Sequence, residues 1–196
     1  MNKKQLIESL KRKGFSEKIL EAFRKVKREK FIESEMKAFA YRDRPLPIGE
    51  NATISQPYTI AFMLDLLDLK DNMKILEIGS GCGYVLALIN EITKNSEIYG
   101  VEINPELVKK AKEYLSDTSI TVINKNGYDG LKEYEPYERI LVSAAYQEEP
   151  KHLIDQLKEE GILVVPVSNS INKYIKKDGK VLKESHYGFA FVTMQK

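Results

Sequence analysis

The sequence predicts an α/β protein: a mostly parallel central sheet, helices on both faces, and antiparallel or edge strands at the C-terminal end. Three observations predict it. From Lys74 onward, short β-prone runs alternate with stretches of helical apolar spacing. A glycine-rich turn, Gly79-Ser80-Gly81-Cys82-Gly83, falls between a strand-like run and a helix-like one. The 196 residues, 42% hydrophobic and 31% charged, also match the size and composition of one domain around one core. The expected division is a helical flank and loop over 1–57 and an α/β core over 58–196.

Leu6, Ile7 and Leu10 share one helical face, and beyond Gly14 a second stripe follows at Ile19, Leu20, Phe23 and Val26, so two short helices open the chain. Between Tyr41 and Asn51, Pro45, Pro47 and Gly49 disfavour a helix and predict an ordered irregular segment anchored by Leu46 and Ile48. Ile60, Met63, Leu64 and Leu67 predict a helix over 58–69. Strands are then expected at 74–78, 97–102, 119–124, 139–143 and 162–167, with helices near 84–93, 105–115 and 150–157. Asn104 before Pro105 predicts a sharp helix start, since Asn caps a free amide and proline needs no partner in the first turn. Around the Asp178-Gly179 turn signal, two further strands are expected at 171–176 and 188–193.

The formal net charge is only +2, which gives no basis for a nucleic-acid partner. The basic opening of the chain is interrupted by Glu8, Glu17, Glu21 and Glu29 and reads as a solvated helix face. Cys82 is the single cysteine, so an intrachain disulfide and a cysteine-rich zinc site are both excluded. No apolar run reaches the length of a membrane span, and neither His152 nor His186 sits in a metal-ligating pattern. The expectation is a cytoplasmic protein with no metal and no membrane partner; the sequence carries no signal for oligomeric state.

The glycine-rich turn supplies free amides at the end of a buried strand, a setting for a small cofactor. Its spacing argues against two nucleotide readings. The third glycine of a dinucleotide fingerprint would fall on Tyr84 or Leu86, and a Walker loop would need glycine and lysine at Tyr84 and Val85. Glu102, ending the next expected strand, can accept hydrogen bonds from two ribose hydroxyls, and Asn126 before Gly127 can both donate to and accept from an adenine edge. Ser55, Asp43 and His186 make an inventory similar to a hydrolase triad, but Ser55 lies in Thr-Ile-Ser-Gln-Pro, which is no nucleophile elbow.

The segment Glu77-Ile78-Gly79-Ser80-Gly81-Cys82-Gly83 resembles the general methyltransferase cofactor motif. Tyr41-Arg42-Asp43-Arg44-Pro45-Leu46-Pro47-Ile48-Gly49-Glu50-Asn51-Ala52-Thr53-Ile54-Ser55-Gln56-Pro57 resembles the substrate-loop signature of the protein-L-isoaspartate O-methyltransferase family. The similarity spans nearly the whole chain, including Ile140-Leu141-Val142-Ser143-Ala144-Ala145 and Leu153-Ile154-Asp155-Gln156-Leu157-Lys158. The resemblance implies a three-layer S-adenosylmethionine-dependent methyltransferase fold with S-adenosyl-L-methionine as cofactor. It implies methyl transfer to the α-carboxylate of L-isoaspartyl residues in damaged proteins and peptides, the first step of their repair. It implies Ser55 as the active-site residue and Thr53, Ile54, Glu77, Gly79, Ser80 and Gly81 as cofactor-binding positions, followed by Gly83, Glu102, Ile103, Asn126 and Gly127.

The chain departs from the family pattern in a few places. Asn126 stands where Asp is more common, Lys125 where glycine is usual, Val167-Ser168-Asn169-Ser170 lacks a glycine-rich continuation, and Thr193 follows Val192 where proline is familiar. These differences bear on peptide preference and on the C-terminal wall of the pocket. The competing readings are a methyltransferase for another carboxylate and a noncatalytic S-adenosylmethionine-binding module.

Overall fold

The computed structural model describes residues 1–195. Helix α1 (Lys3–Arg12) opens on a capping box, in which Asn2 Oδ1 accepts the Gln5 N–H at 3.0 Å and Gln5 Oε1 accepts the Asn2 N–H at 2.9 Å. Helix α2 (Glu17–Lys25) follows, and two 3-10 turns, Arg28–Lys30 and Ser34–Phe39, lead into the loop. The segment expected to be irregular contains a small antiparallel hairpin, β1 (Leu46–Gly49) and β2 (Ala52–Ile54). Its two-residue turn is Glu50-Asn51, both at positive φ (53° and 57°), as a tight hairpin requires. A two-stranded ribbon has free edges, so Pro47 is tolerated opposite Thr53. Leu46 and Ile48 are buried, as their spacing predicts.

Helix α3 (Pro57–Leu67) starts with proline at its first position and stops at Asp68 in the left-handed region. The α/β run then reads β3 (Lys74–Ile78), α4 (Tyr84–Ile92), β4 (Glu97–Glu102), α5 (Pro105–Tyr114), β5 (Thr121–Asn124), β6 (Tyr137–Val142), α6 (Lys151–Asp155) and β7 (Leu157–Val167). Asn104 caps α5 by accepting the Glu106 and Leu107 N–H groups at 2.9 and 3.1 Å. Strands β8 (Ser170–Lys177) and β9 (Lys180–Tyr187) close the sheet, whose order is β5-β4-β3-β6-β7-β8-β9. The strands from β3 to β7 pair in parallel and the last two antiparallel.

One expected strand is displaced. The turn at Asp178-Gly179 brings Lys177 opposite Lys180, so pairing resumes at once and the last full strand is 180–187. Residues 188–193 are no strand; only Thr193 makes an isolated bridge, to Ala145. β7 also begins earlier than expected, at Leu157, and α6 is correspondingly short.

Strand alternation separates two apolar clusters, one on each face of the sheet. Ile75, Leu141, Ile162 and Val164 point to the face covered by α1 to α5, while Leu76, Ile140, Leu163 and Val165 point to the face with Leu153 and Ile154 of α6. The opening helices belong to the first cluster, where Leu10, Leu20 and Phe23 are buried with Leu88 and Ile89 of α4. Among the described residues no helix is long and apolar enough to cross a membrane.

Candidate functional site

Strand β3 has β4 on one side and β6 on the other: the chain winds outward from β3 through β4 to β5, then returns to β6 on the far side, so the strand order reverses at β3 and a crevice opens at its C-terminal end. A cavity of about 1230 Å³ lies there, lined by the ends of the strands, by the loop around Ser55 and by the segment from Tyr187 to Gln195. That exceeds the roughly 300–1,000 Å³ of a typical single-ligand site.

One half carries the cofactor candidates. Glu102 is buried, its Oε2 accepting the Gly81 N–H at 2.8 Å and its Oε1 the Asn104 N–H at 2.9 Å. Each oxygen keeps lone-pair capacity for a further donor, such as a ribose hydroxyl. Gly79, Ile103, Asn126 and Gly127 also line this half. At Gly127 a Cβ would meet Ile78 Cγ2 at 2.7 Å, so only backbone fits on this part of the floor. Asn126 is exposed, and its Oδ1 accepts the Tyr128 N–H at 2.9 Å, which orients the side chain in a local turn.

Four of the expected cofactor positions lie behind the wall. Ile54 is buried in the apolar core. Ser80 turns toward Gly100, where an added Cβ would meet its Oγ at 3.1 Å. Gly83, at φ +84°, starts α4, and a Cβ there would lie 2.8 Å from Leu115 Cδ1. Glu77 is 1% exposed; its Oε1 accepts the Ser143 hydroxyl at 2.9 Å and its Oε2 has no partner. These residues shape the loop from beneath.

Burial pushes the Glu77 carboxyl up to about 8; the Ser143 hydrogen bond opposes the rise and the nearby Glu102 charge adds to it. The folded state thus keeps a proton that an ordinary glutamic acid loses near 4.5. Between those values the folded chain binds more protons than the unfolded one, so stability falls as pH rises. Glu77→Gln, which cannot ionise, is expected to remove this fall and to exceed the parent by on the order of 3 kcal/mol at pH 7. Urea melts of the cofactor-free protein from about pH 5 to about pH 8 check it; parallel profiles for parent and variant would refute it.

The other half is built around Ser55, with Thr53 beside it on the lining. The Ser55 hydroxyl has no hydrogen-bond partner among the described residues, and its segment is held by its neighbours. Asp43 Oδ1 accepts the Tyr58 N–H at 2.9 Å, tying the loop to the first turn of α3. Arg28 is fully buried and donates to the carbonyl oxygens of Ala40 at 2.7 Å, Ser55 at 3.0 Å and Arg44 at 3.2 Å, with longer contacts to Arg42 and Ile54. The sequence gives no sign of Arg28's place, since it sits in the basic run Lys25-Val26-Lys27-Arg28-Glu29-Lys30. Nor does it reveal the wall from Tyr187 to Gln195, whose apolar alternation looks like a strand.

The residues present fit an adenosyl cofactor: a buried carboxylate with spare acceptors, a backbone-lined floor and an exposed amide side by side. A family model described as Protein-L-isoaspartate(D-aspartate) O-methyltransferase matches residues 1–196. A protein-L-isoaspartate O-methyltransferase from Fervidobacterium nodosum is 43% identical, over 97% of this chain and 100% of its own length. One from Methanothrix thermoacetophila is 40% identical, over 99% and 95%. A solved protein-L-isoaspartate O-methyltransferase superposes with a TM-score of 0.91 at 27% identity, covering 100% of this chain and 66% of that longer one. A Plasmodium falciparum structure, described as a protein-L-isoaspartate O-methyltransferase in complex with S-adenosyl-L-homocysteine, gives 0.86 at 27% identity, covering 100% and 99%. The switch-point crevice, the two-part cavity and the full-length match agree, and the chain belongs to the protein-L-isoaspartate O-methyltransferase family.

Proposed function

We propose that the chain transfers a methyl group from S-adenosylmethionine to the α-carboxylate of an L-isoaspartyl residue in a damaged protein or peptide, beginning its repair. The observation that carries this reading is the single cavity that joins the Glu102 half to the Ser55 half. When bound, S-adenosylmethionine supplies an electrophilic methyl group and leaves as S-adenosylhomocysteine.

The substrate carboxylate is ionised at neutral pH, so the site needs no general base and its task is placement. Glu102 and Asn126 hold the adenosyl group, and Ser55 donates its hydroxyl to a carboxylate oxygen. Ser55 orients and does not attack. Cys82 is no nucleophile either, because burial pushes its thiol up to about 12 and closes it off from the cavity. The methyl ester carries a better leaving group than the free acid; a neighbouring backbone amide can then expel methanol and close a succinimide, and hydrolysis of that ring at the side-chain carbonyl restores aspartate, while opening at the other carbonyl returns isoaspartate for another round, without further demand on this site. In this reading 1–57 and 58–196 work as one domain, in a cytoplasmic, reducing setting suited to a lone buried thiol.

Labelled cofactor offered with matched Asp and isoAsp peptides is expected to label only the latter. Label on another carboxylate with none on isoaspartate would favour a different methyl acceptor, and cofactor binding without any turnover would favour a noncatalytic module. Ser55→Ala is expected to lower kcat/KM roughly 10- to 100-fold, the range of a hydrogen bond to a charged group, with S-adenosylhomocysteine affinity retained. Unchanged kcat/KM would remove Ser55 from the reaction.

A further inference from the structure

The segment Leu153-Ile154-Asp155-Gln156-Leu157-Lys158 carries part of the family resemblance, yet it stands outside the lining of the cavity. Gln156, at the C-terminal end of α6, is 2% exposed and turns its side-chain amide on the loop that follows β5. Its Oε1 accepts the Leu131 N–H at 3.0 Å, and its Nε2 donates to the Asp129 carbonyl at 2.8 Å and to the His152 carbonyl at 3.1 Å. One acceptor and one donor thus flank Gly130, as the peptide groups of a neighbouring strand would in a parallel ladder. Gly130 has φ +78°, and a Cβ there would lie 2.4 Å from both Gln156 Nε2 and Oε1, so the amide fills the room a side chain would need. Tyr128 is held as well. Its carbonyl accepts from the Tyr146 hydroxyl at 2.5 Å and lies 2.8 Å from His152 Nε2, which must carry the proton of that bond.

The loop so gripped begins with Asn126 and Gly127, which line the adenosyl half of the cavity. Its internal bonds carry the grip to them: Gly130 donates its N–H to the Gly127 carbonyl at 2.9 Å, and Tyr128 donates its N–H to Asn126 Oδ1 at 2.9 Å. The second bond also orients the Asn126 amide. With Oδ1 fixed beside the Tyr128 N–H, its remaining lone pair is an acceptor and Nδ2 a donor. That order answers the amino group and ring nitrogen of adenine, and it mismatches a 6-oxopurine, which has a carbonyl and an N–H in those places. We propose that Gln156, assisted by His152, is a positioning residue that sets the purine specificity of the cofactor site by fixing the 126–131 loop from behind. It acts on the cofactor only through Asn126. The inference rests on the assignment of Asn126 to adenine in the methyl-transfer reading, and adds the residues that make that contact selective.

The test compares the binding of S-adenosylhomocysteine and of S-inosylhomocysteine, its 6-oxopurine counterpart, by titration calorimetry. The proteins are the full-length parent, Gln156→Met, and the milder His152→Phe, which keeps a ring stacked on Tyr128 and loses the donor. The parent is expected to prefer the adenosyl ligand by roughly 10-fold or more. In Gln156→Met the Kd for S-adenosylhomocysteine is expected to rise roughly 5- to 20-fold and that for S-inosylhomocysteine less than about 3-fold, so the preference narrows. His152→Phe narrows it in the same direction by a smaller factor. In an Asn126→Ala background, Gln156→Met is expected to change the S-adenosylhomocysteine Kd less than about 2-fold, because its effect runs through that side chain. An equal rise for both ligands would make Gln156 a support of the fold alone and overturn the proposal. So would an undiminished effect in the Asn126→Ala background, or a parent without preference. If Gln156→Met does not fold, His152→Phe decides by the same criteria. Methylation of an isoaspartyl peptide by the parent is followed separately. Turnover with an unaltered preference in the variants removes the positioning role and keeps the function, whereas a parent that discriminates between the two ligands but methylates no isoaspartyl peptide removes the function and keeps the role.

Discussion

Replacing Arg28 with methionine is expected to lower stability by on the order of 3 kcal/mol and the thermal midpoint by roughly 6–12 °C, and to lower methyl transfer in the surviving fold. The guanidinium is buried without a carboxylate partner and is held by carbonyls of residues 40–55. Burial lowers its proton affinity, yet an arginine stays charged at any pH the protein survives. Its removal strands several carbonyl oxygens in an apolar setting, each an unsatisfied acceptor. Methionine matches the stem but offers no donors, and lysine restores the charge without the fork. Arg28→Lys is thus expected to recover only part of the midpoint. Since Arg28 reaches Ser55 only through the backbone, its loss should raise KM for the peptide more than the dissociation constant for S-adenosylhomocysteine. Calorimetric melts and steady-state kinetics on both variants check this, and a midpoint within 2 °C of the parent would refute the clamp.

Glu102→Ala should act in the opposite half. It removes the acceptors for two ribose hydroxyls and releases the Gly81 and Asn104 amides that the carboxylate now holds. The expected loss is about 1.5–3 kcal/mol of cofactor binding, a 10- to 100-fold rise in Kd for S-adenosylhomocysteine by titration calorimetry. The thermal shift produced by a fixed cofactor concentration shrinks with it, because stabilisation by a ligand follows the ratio of its concentration to its Kd. Glu102→Gln keeps one acceptor and should fall between. An unchanged Kd in the alanine variant would take Glu102 out of the site.

Much of the sheet was legible because its strands are buried on both faces and read as continuous apolar runs between helical stripes, as at Ile162-Leu163-Val164-Val165. Asn104-Pro105 announced α5 correctly because the signal is local chemistry. The last strand was not legible for the opposite reason. β9 lies at the sheet edge with Val181 and Leu182 exposed among Lys180, Lys183 and Glu184, so it lacks an apolar face, while Phe189, Phe191 and Val192 imitate one. Their apolar character serves another end: Phe189 stacks on Phe62 at 5.3 Å and Phe191 lines the cavity. The β1–β2 hairpin was obscured by prolines that a two-stranded ribbon tolerates.

At the site, motif spacing singled out Gly79, Gly81 and Glu102 and the family resemblance Ser55, all of which line the cavity, but neither says which way each side chain of a stretch faces. Glu77, Ser80, Gly83 and Ile54 belong to the same stretches and lie behind the lining, and no periodicity separates the two groups. Arg28 was invisible in principle, because its partners are carbonyls brought close by tertiary folding, and the sequence around it is that of an ordinary basic helix end.

The walls of the cavity are drawn from widely separated parts of the chain, with Ser55 near one end, Gly79 to Ser143 in the middle and Tyr187 to Gln195 at the other. A polypeptide emerging from a ribosome therefore has the adenosyl half of the crevice long before it has the wall that faces Ser55. Contacts of such separation form late. Until residues 187–195 have docked, the crevice stands open on the side that faces Ser55, so the cavity is complete only after this late segment is in place.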